Sequence, residues 1–349
     1  MNPSSTSPAA TKTPAYVAGS RRVLVTGGSG FIGTHLIAHL TAGGYDIANV
    51  DTLPPAGPAS PARWFNCSIL DAESLAKVFR EFHPRYVVHL AAYASMEAVS
   101  LDEFRVNTEG TANVLQAAQQ CANLERLIVT SSQHVRRPGS GMPANDTDYV
   151  PYEYYGESKV ITERLTREAD PKCVWTIIRP TAVWGPHQPP LADGVWRVIN
   201  RGLYLHPSHD PVLRSYGYVK NVVWQIERLF QVPAESVHRK MFYVGDANIR
   251  QYDWINGFAR ELTGRDVRTL PLIFIRALAK LGDGLIAAGF RFPIYGSRLH
   301  NLITNNPVPI EPALRLLGPS PYTMTAGIKE TAVWLKSYYQ AKPPAKAVS

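Results

Sequence analysis

The chain is poor in charge: only 18% of its 349 residues are Asp, Glu, Lys or Arg. It also lacks any stretch near the roughly 18 uninterrupted apolar residues of a spanning helix. No membrane span is therefore expected. Cysteine is scarce: Cys67, Cys121 and Cys173 are odd in number, far apart and without Cys-x-x-Cys spacing. This excludes a disulfide framework and leads us to expect reduced, structural thiols in a cytoplasmic protein. The formal charge of +8 comes from scattered residues, with no basic run longer than the pairs Arg21/Arg22 and Arg136/Arg137. Such scatter speaks against nucleic acid and for an anionic small molecule. His206, His209 and Asp210 lie close together, but proline follows the first histidine and no further ligand stands at suitable spacing, so no metal is expected.

Apolar residues make up 45% of the chain, enough for a substantial core. The first twenty residues are rich in Ser, Thr, Pro and Ala without the apolar block of a secretion signal, and 342–349 have a similar Pro, Ala and Lys character. Both are expected to be disordered tails.

From Arg22 to about Trp184, short β-branched runs alternate with amphipathic stretches, the pattern of a doubly wound parallel sheet. Strands are expected at Arg22 to Thr26, Asp46 to Val50, Tyr86 to Leu90, Leu127 to Ser131 and Val174 to Arg179. Helices are expected at Ile32 to Ala42, Ala72 to Phe82, Thr108 to Cys121 and Glu157 to Glu168. After Gly185 prolines cluster at Pro186, Pro189, Pro190, Pro207 and Pro211. The expected division is a Rossmann-type α/β domain over 21–185 and a smaller, mainly C-terminal substrate-binding part over 186–237 and 263–341. The strand Met241 to Val244 and a helix from Tyr252 to Leu262 are expected to bring 238–262 back to the first domain. Leu272 to Phe290 is strongly apolar but interrupted by Arg276, Lys280 and Asp283. It reads as a helical hairpin or lid, with a monotopic membrane or oligomer contact as the alternative.

The first strand runs into Gly27-Gly28-Ser29-Gly30-Phe31-Ile32-Gly33. Glycines at this spacing let a strand turn sharply, bring backbone close to a pyrophosphate and pack the next helix tightly. The helix N-terminus then offers amide hydrogens and partial positive charge to the phosphates. Asp51 closes the next strand, where its carboxylate can accept from ribose hydroxyls and repel a 2'-phosphate, so NAD is preferred to NADP.

Tyr155-Gly156-Glu157-Ser158-Lys159 carries a tyrosine and a lysine four apart, on one face of a helix. An ammonium near a phenol favours phenolate. This Y-x-x-x-K pattern, with the glycine turn, resembles the extended short-chain dehydrogenase/reductase superfamily and its NAD-dependent epimerase/dehydratase branch. The resemblance implies Ser132, Tyr155 and Lys159 as catalytic residues, with Ser132 bonded to the substrate hydroxyl or carbonyl. It further implies cofactor contacts from Gly27, Gly30, Phe31, Ile32, Gly33, Asp51, Ser68, Ile69, Leu90, Ala91, Ala92, Asn107, Tyr155, Lys159, Pro180 and Val183. Substrate contacts are implied for Ser132, Gln133 and Arg214. The Arg214 segment, Arg214-Ser215-Tyr216-Gly217-Tyr218-Val219-Lys220-Asn221, looks like the family block that meets a nucleotide-sugar diphosphate.

Several positions depart from the family pattern. Ser68 stands where an adenine-contacting aspartate is usual, Gln133 and His134 where dehydratases place acids, and Ala182 where many epimerases place a sugar-binding asparagine. Arg136 and Arg137 replace the usual sequence after the catalytic serine, and could meet an anionic substrate. The resemblance implies an epimerase or keto-reductase acting on a nucleotide-activated sugar, in a homodimer paired through the third and fourth helices. The alternative is a hydroxysteroid-dehydrogenase-like enzyme acting on an apolar alcohol or ketone. A catalytically silent NAD-binding protein is a third reading, opposed by the intact Ser132, Tyr155 and Lys159.

Overall fold

Seven parallel strands form the central sheet: β1 (Arg22–Thr26), β2 (Asp46–Asp51), β3 (Arg63–Asn66), β4 (Tyr86–His89), β5 (Arg126–Thr130), β6 (Val174–Pro180) and β7 (Lys240–Val244). Their spatial order is β7-β6-β5-β4-β1-β2-β3. Every residue of β1 and of β4 is buried. That is why these runs are apolar throughout rather than alternating: helices cover both faces of the sheet. The computed structural model describes residues 21–55, 62–188, 191–208, 211–290, 292 and 294–341. The tails expected at 1–20 and 342–349, and Pro189, Pro190, His209 and Asp210, lie outside the described residues.

The helices flanking this sheet begin with α1 (Phe31–Ala42), α2 (Ala72–Phe82), α3 (Arg105–Gln120) and α4 (Glu153–Ala169). In α2, Asp71 caps the first turn through the Ser74 amide at 3.0 Å, and Leu75, Val78, Phe79 and Phe82 bury one helical face. Four further helices matter here: α5 (Val219–Gln231), α6 (Gln251–Thr263), α7 (Leu272–Ala287) and α8 (Gly296–Ile303). The C-terminal α9 (Met324–Ala341) packs against α6. Trp184, Trp196, Trp254 and Phe258 join ring to ring beneath it, inside the same apolar cluster that contains Val23 and Val25 of β1.

Three expectations shift. β3 has no counterpart in the sequence reading, because this edge strand is mostly exposed and carries no apolar pattern. α4 begins four residues earlier than expected, so Tyr155 and Lys159 both lie within it. β7 joins the sheet beside β6, whereas the following helix α6 packs on α9 rather than on the sheet. The apolar segment after Leu272 folds as α7 packed on α8 through Ile275, Ala279 and Leu299. No helix among the described residues is long and apolar enough to cross a membrane.

The strand order places β4 on one side of β1 and β2 on the other. Chain direction across the sheet reverses there, and the connecting segments part at the carboxyl ends of β1 and β4 to leave a crevice.

Candidate active site

The turn after β1 fills the floor of that crevice. Gly27 has φ of +72°, and a Cβ there would stand 2.6 Å from the Ala91 amide nitrogen, so only glycine lets the turn lie against the end of β4. Gly30 caps α1 with its backbone alone; no side chain caps this helix, and its first turn carries no acid. The amides of Phe31, Ile32 and Gly33 thus stand at a positive helix end with no carboxylate in that turn to compete for them, which suits a pyrophosphate.

Asp51 ends β2 beside this turn. Its carboxylate accepts from the Ser29 amide at 3.0 Å and the Leu53 amide at 2.9 Å. Two amides leave a carboxylate with acceptor capacity for ribose hydroxyls. Ile69 is buried against Gly110, while half-buried Ser68 accepts from the Leu70 amide at 3.2 Å. Leu90, Ala91 and Ala92 continue from β4, and Thr26 Oγ1 accepts from the Ala91 amide at 3.3 Å. The residues present therefore fit a bound dinucleotide.

Fully buried Asn107 ties this wall to the catalytic helix. Its Oδ1 accepts from the Tyr93 amide at 2.8 Å, and its Nδ2 donates to the Tyr93 carbonyl and to Ser158 Oγ, each at 2.9 Å. Both amide hydrogens of Asn107 and one lone pair of its oxygen are thereby engaged in positioning.

Tyr155 and Ser132 come together at the mouth of the crevice. Burial raises the Tyr155 phenol above its ordinary pKa, and a hydrogen bond with Ser132 opposes that rise. Gly156 fits because a Cβ there would run into the His134 carbonyl. Lys159 is buried, and its Nζ donates to the Thr130 carbonyl at 3.0 Å. Burial pushes its ammonium down to about 8, opposed by the charge of Glu163. In the protein alone burial dominates the phenol, and Lys159 donates to the end of β5.

Behind these residues lies a buried ionic knot. Arg179 Nε and Nη2 bond to the two oxygens of Glu163 at 2.7 and 2.9 Å, and Arg179 Nη1 reaches the Tyr243 hydroxyl at 3.1 Å. Ser131 Oγ and Tyr149 Oη donate to the same carboxylate at 2.6 and 2.8 Å. The knot joins β5, α4, β6 and β7 directly beneath Ser132 and Lys159.

A cavity of about 470 Å³ has mainly apolar walls, among them Val195, Val198, Leu205, Trp254, Ile275 and Leu299, and its polar members include Asp193, Arg214, Gln251, Arg298 and Asn301. Arg214 is deeply set, its guanidinium lowered by burial, and its Nε has no partner. Gln133 Oε1, His134 Nδ1, Gln251 Oε1 and Trp254 Nε1 are likewise buried without partners. His134 stands edge-on to Tyr155 with ring centroids 5.8 Å apart, and burial, then the charge of Arg214, pushes it down to about 4. The charge of Arg214, which lines the chamber, thus reaches neutral His134, which in turn stands against Tyr155.

Of the remaining expected residues, Pro180 is buried at the end of β6, and Val183 lies in the short strand Ala182–Trp184 that pairs with Tyr216–Tyr218. Arg136 is buried and pairs with Asp148 at 2.9 Å, also donating to the Asp148 and Ser140 carbonyls. Its Nε is buried without a partner, and Arg137 is exposed. His134, Gln251 and Trp254 did not emerge from the sequence as site residues. No motif marks them, because they come from two separate elements, the turn after Ser132 and the first turn of α6. Among the described residues no group of three His, Cys, Asp or Glu could hold a metal ion.

The sequence profile of the NAD dependent epimerase/dehydratase family matches residues 23–245. The chain is 32% identical over 331 residues to a 3-beta-hydroxysteroid dehydrogenase of Mycolicibacterium neoaurum, covering 87% of this chain and 88% of that one. It is also 32% identical over 213 residues to the human sterol-4-alpha-carboxylate 3-dehydrogenase, decarboxylating, covering 58% and 56%. In structure it resembles the UDP-glucose 4-epimerase of Thermus thermophilus, solved in complex with NAD, with a TM-score of 0.67 and 23% identity over 90% of this chain and 99% of that one.

Proposed function

The chain belongs to the NAD-dependent epimerase/dehydratase family, and from that premise we propose that it is a dehydrogenase acting on a secondary alcohol, or the matching ketone, carried on an apolar body. It is an NAD-dependent enzyme. The observation that carries the substrate class is the chamber that holds Arg214, whose walls are mainly aliphatic and aromatic. Burying such walls against an apolar ligand contributes roughly 25 cal/mol per Å². The names of the relatives from Mycolicibacterium and human point the same way.

In this reading Ser132 and Tyr155 both bond to the reacting oxygen. Tyr155 Oη takes the hydroxyl proton during oxidation and returns it during reduction. Bound NAD supplies the hydride acceptor and, when oxidised, a positive charge near the phenol. Lys159 donates from Nζ to the ribose and adds its own charge. His134, neutral near pH 7, shapes the far side of the pocket without competing for the Tyr155 proton. Gly27, Gly30, Phe31, Ile32, Gly33, Asp51 and the wall from Leu90 to Ala92 hold the dinucleotide, and Asn107 keeps that wall in register with α4.

A second reading keeps the first implication of the family resemblance, a nucleotide-sugar epimerase or keto-reductase. The unpartnered Arg214 Nε favours it, because a diphosphate would satisfy that group. A panel of sterol-like secondary alcohols and UDP-sugars separates the two. Cofactor reduction by the sterols, with no epimer formed from any sugar, is expected. Sugar epimerisation beside inert sterols would overturn the assignment.

We also keep a cytoplasmic homodimer paired through α3 and α4 within the proposal. Sedimentation as a monomer at micromolar concentration would remove the dimer.

A further inference from the structure

The helix α7 buries little of its surface. Ile275, Ala279 and Gly282 face the body, and Asp283 accepts from the Gly296 amide at 2.9 Å, which fixes the helix's rotation. On a helix of 3.6 residues per turn, Ile273, Phe274, Ala277, Leu278, Leu281 and Leu285 share the outward face. Ile273, Phe274 and Leu281 are 70%, 58% and 56% exposed. A side chain at Gly284 would extend the same face, and the sequence provides none. Phe274, Ala277, Leu278 and Leu281 form a shallow groove with Leu270. Exposed Arg276 and Lys280 line one edge of the stripe.

We propose that α7 docks this enzyme on a membrane surface bearing anionic headgroups, lying in the interface plane without crossing it. An apolar stripe rimmed by long cationic side chains is the arrangement that enters the headgroup boundary while the Arg and Lys tips reach the phosphates. The rim cations and the chain's +8 charge complement an anionic bilayer. A protein partner would be expected to find hydrogen-bonding groups on the face it covers, and these six side chains offer none. Ile275, on the body-facing side of the same helix, lines the chamber. Docking therefore places the chamber one helix away from the bilayer, a short path for an apolar alcohol. Only that delivery step rests on the proposed substrate class; membrane binding stands without it.

Vesicle flotation of the full chain tests the proposal, independently of turnover. Binding is expected to vesicles of equal phosphatidylcholine and phosphatidylserine, and to be weaker to phosphatidylcholine alone. Replacing Phe274→Glu and Leu281→Glu together should lower the partition by roughly tenfold to hundredfold. Replacing Arg276→Gln and Lys280→Gln should lower it by about fivefold per cation, on the anionic vesicles only. Circular dichroism melting checks that the variants fold. Should they not, an environment-sensitive dye on Ile273→Cys should shift to the blue when anionic vesicles are added. A wild-type chain that stays with the soluble fraction, a dye that does not shift, or a stable dimer dissociated by the Phe274 variant would each overturn the membrane assignment; the last would make a second copy the occupant.

Discussion

Lys159 Nζ sits 3.0 Å from the Thr130 carbonyl, buried at the end of β5, so the ammonium of α4 is held by the sheet rather than by the phenol of Tyr155. Burial depresses it to about 8, below the roughly 10.4 of an unfolded chain. A depressed lysine supports the fold above its unfolded pKa, and that support is lost as pH falls through the folded value. Between pH 10 and pH 8 the protein without added cofactor should therefore lose stability. Lys159→Met should abolish that slope and, at pH 7, raise stability by about 1 to 2 kcal/mol, the lost bond to Thr130 offsetting part of the gain. It should also end catalysis, a trade of function against stability. Urea unfolding across this pH range decides it; parallel profiles for the two proteins would show that Lys159 is not strained by burial.

Tyr155→Phe keeps the ring that meets His134 and Phe104 and removes only the hydroxyl. The turnover number should fall by about 10² to 10⁴, with NAD affinity nearly unchanged, because the phosphate turn and Asp51 are untouched. Stopped-flow hydride transfer and cofactor titration check the two halves. Retained turnover would take the phenol out of the reaction.

Glu163 answers to four donors, and the pair with Arg179 is fully buried. Glu163→Gln leaves the guanidinium without its counter-charge, a change expected to cost about 3 to 5 kcal/mol. Glu163→Met with Arg179→Met should recover much of that loss, since two apolar side chains carry no desolvated charge. Chemical denaturation of the single and double variants measures the difference. A harmless Glu163→Gln would mean the knot does not brace the sheet.

How far the sequence spoke varies with the kind of signal. The phosphate turn was legible because glycine at Gly27 answers a backbone need that no other residue meets, and the central strands because burial on both faces forces unbroken apolar runs. Tyr155 and Lys159 declared themselves by helical spacing, although the helix start was misplaced: nothing at Tyr152 or Glu153 marks a side-chain cap. β3 stayed hidden because its exposed residues need no pattern. The chamber was illegible for another reason. Gln251 and Trp254 join Arg214 in the chamber only through tertiary packing, and each alone reads as an ordinary polar or aromatic residue, whereas Arg214 stood out through its resemblance to a family block.

Asp51 receives the Ser29 and Leu53 amides on separate oxygens, so its negative charge is fixed at the rim of the turn. A 2'-phosphate arriving there would meet like charge, and this repulsion is expected to favour NAD. Asp51→Asn keeps one acceptor oxygen and the size of the side chain, but removes the charge. Affinity for NADH should fall by about tenfold, as a charged hydrogen bond becomes a neutral one. Affinity for NADPH should rise or hold, so that the ratio between the two shifts by more than tenfold toward NADPH. Fluorescence titration of both reduced cofactors reads the ratio directly. If it does not move, the discrimination lies elsewhere in the turn, and the orientation of Asp51 serves only to hold Ser29.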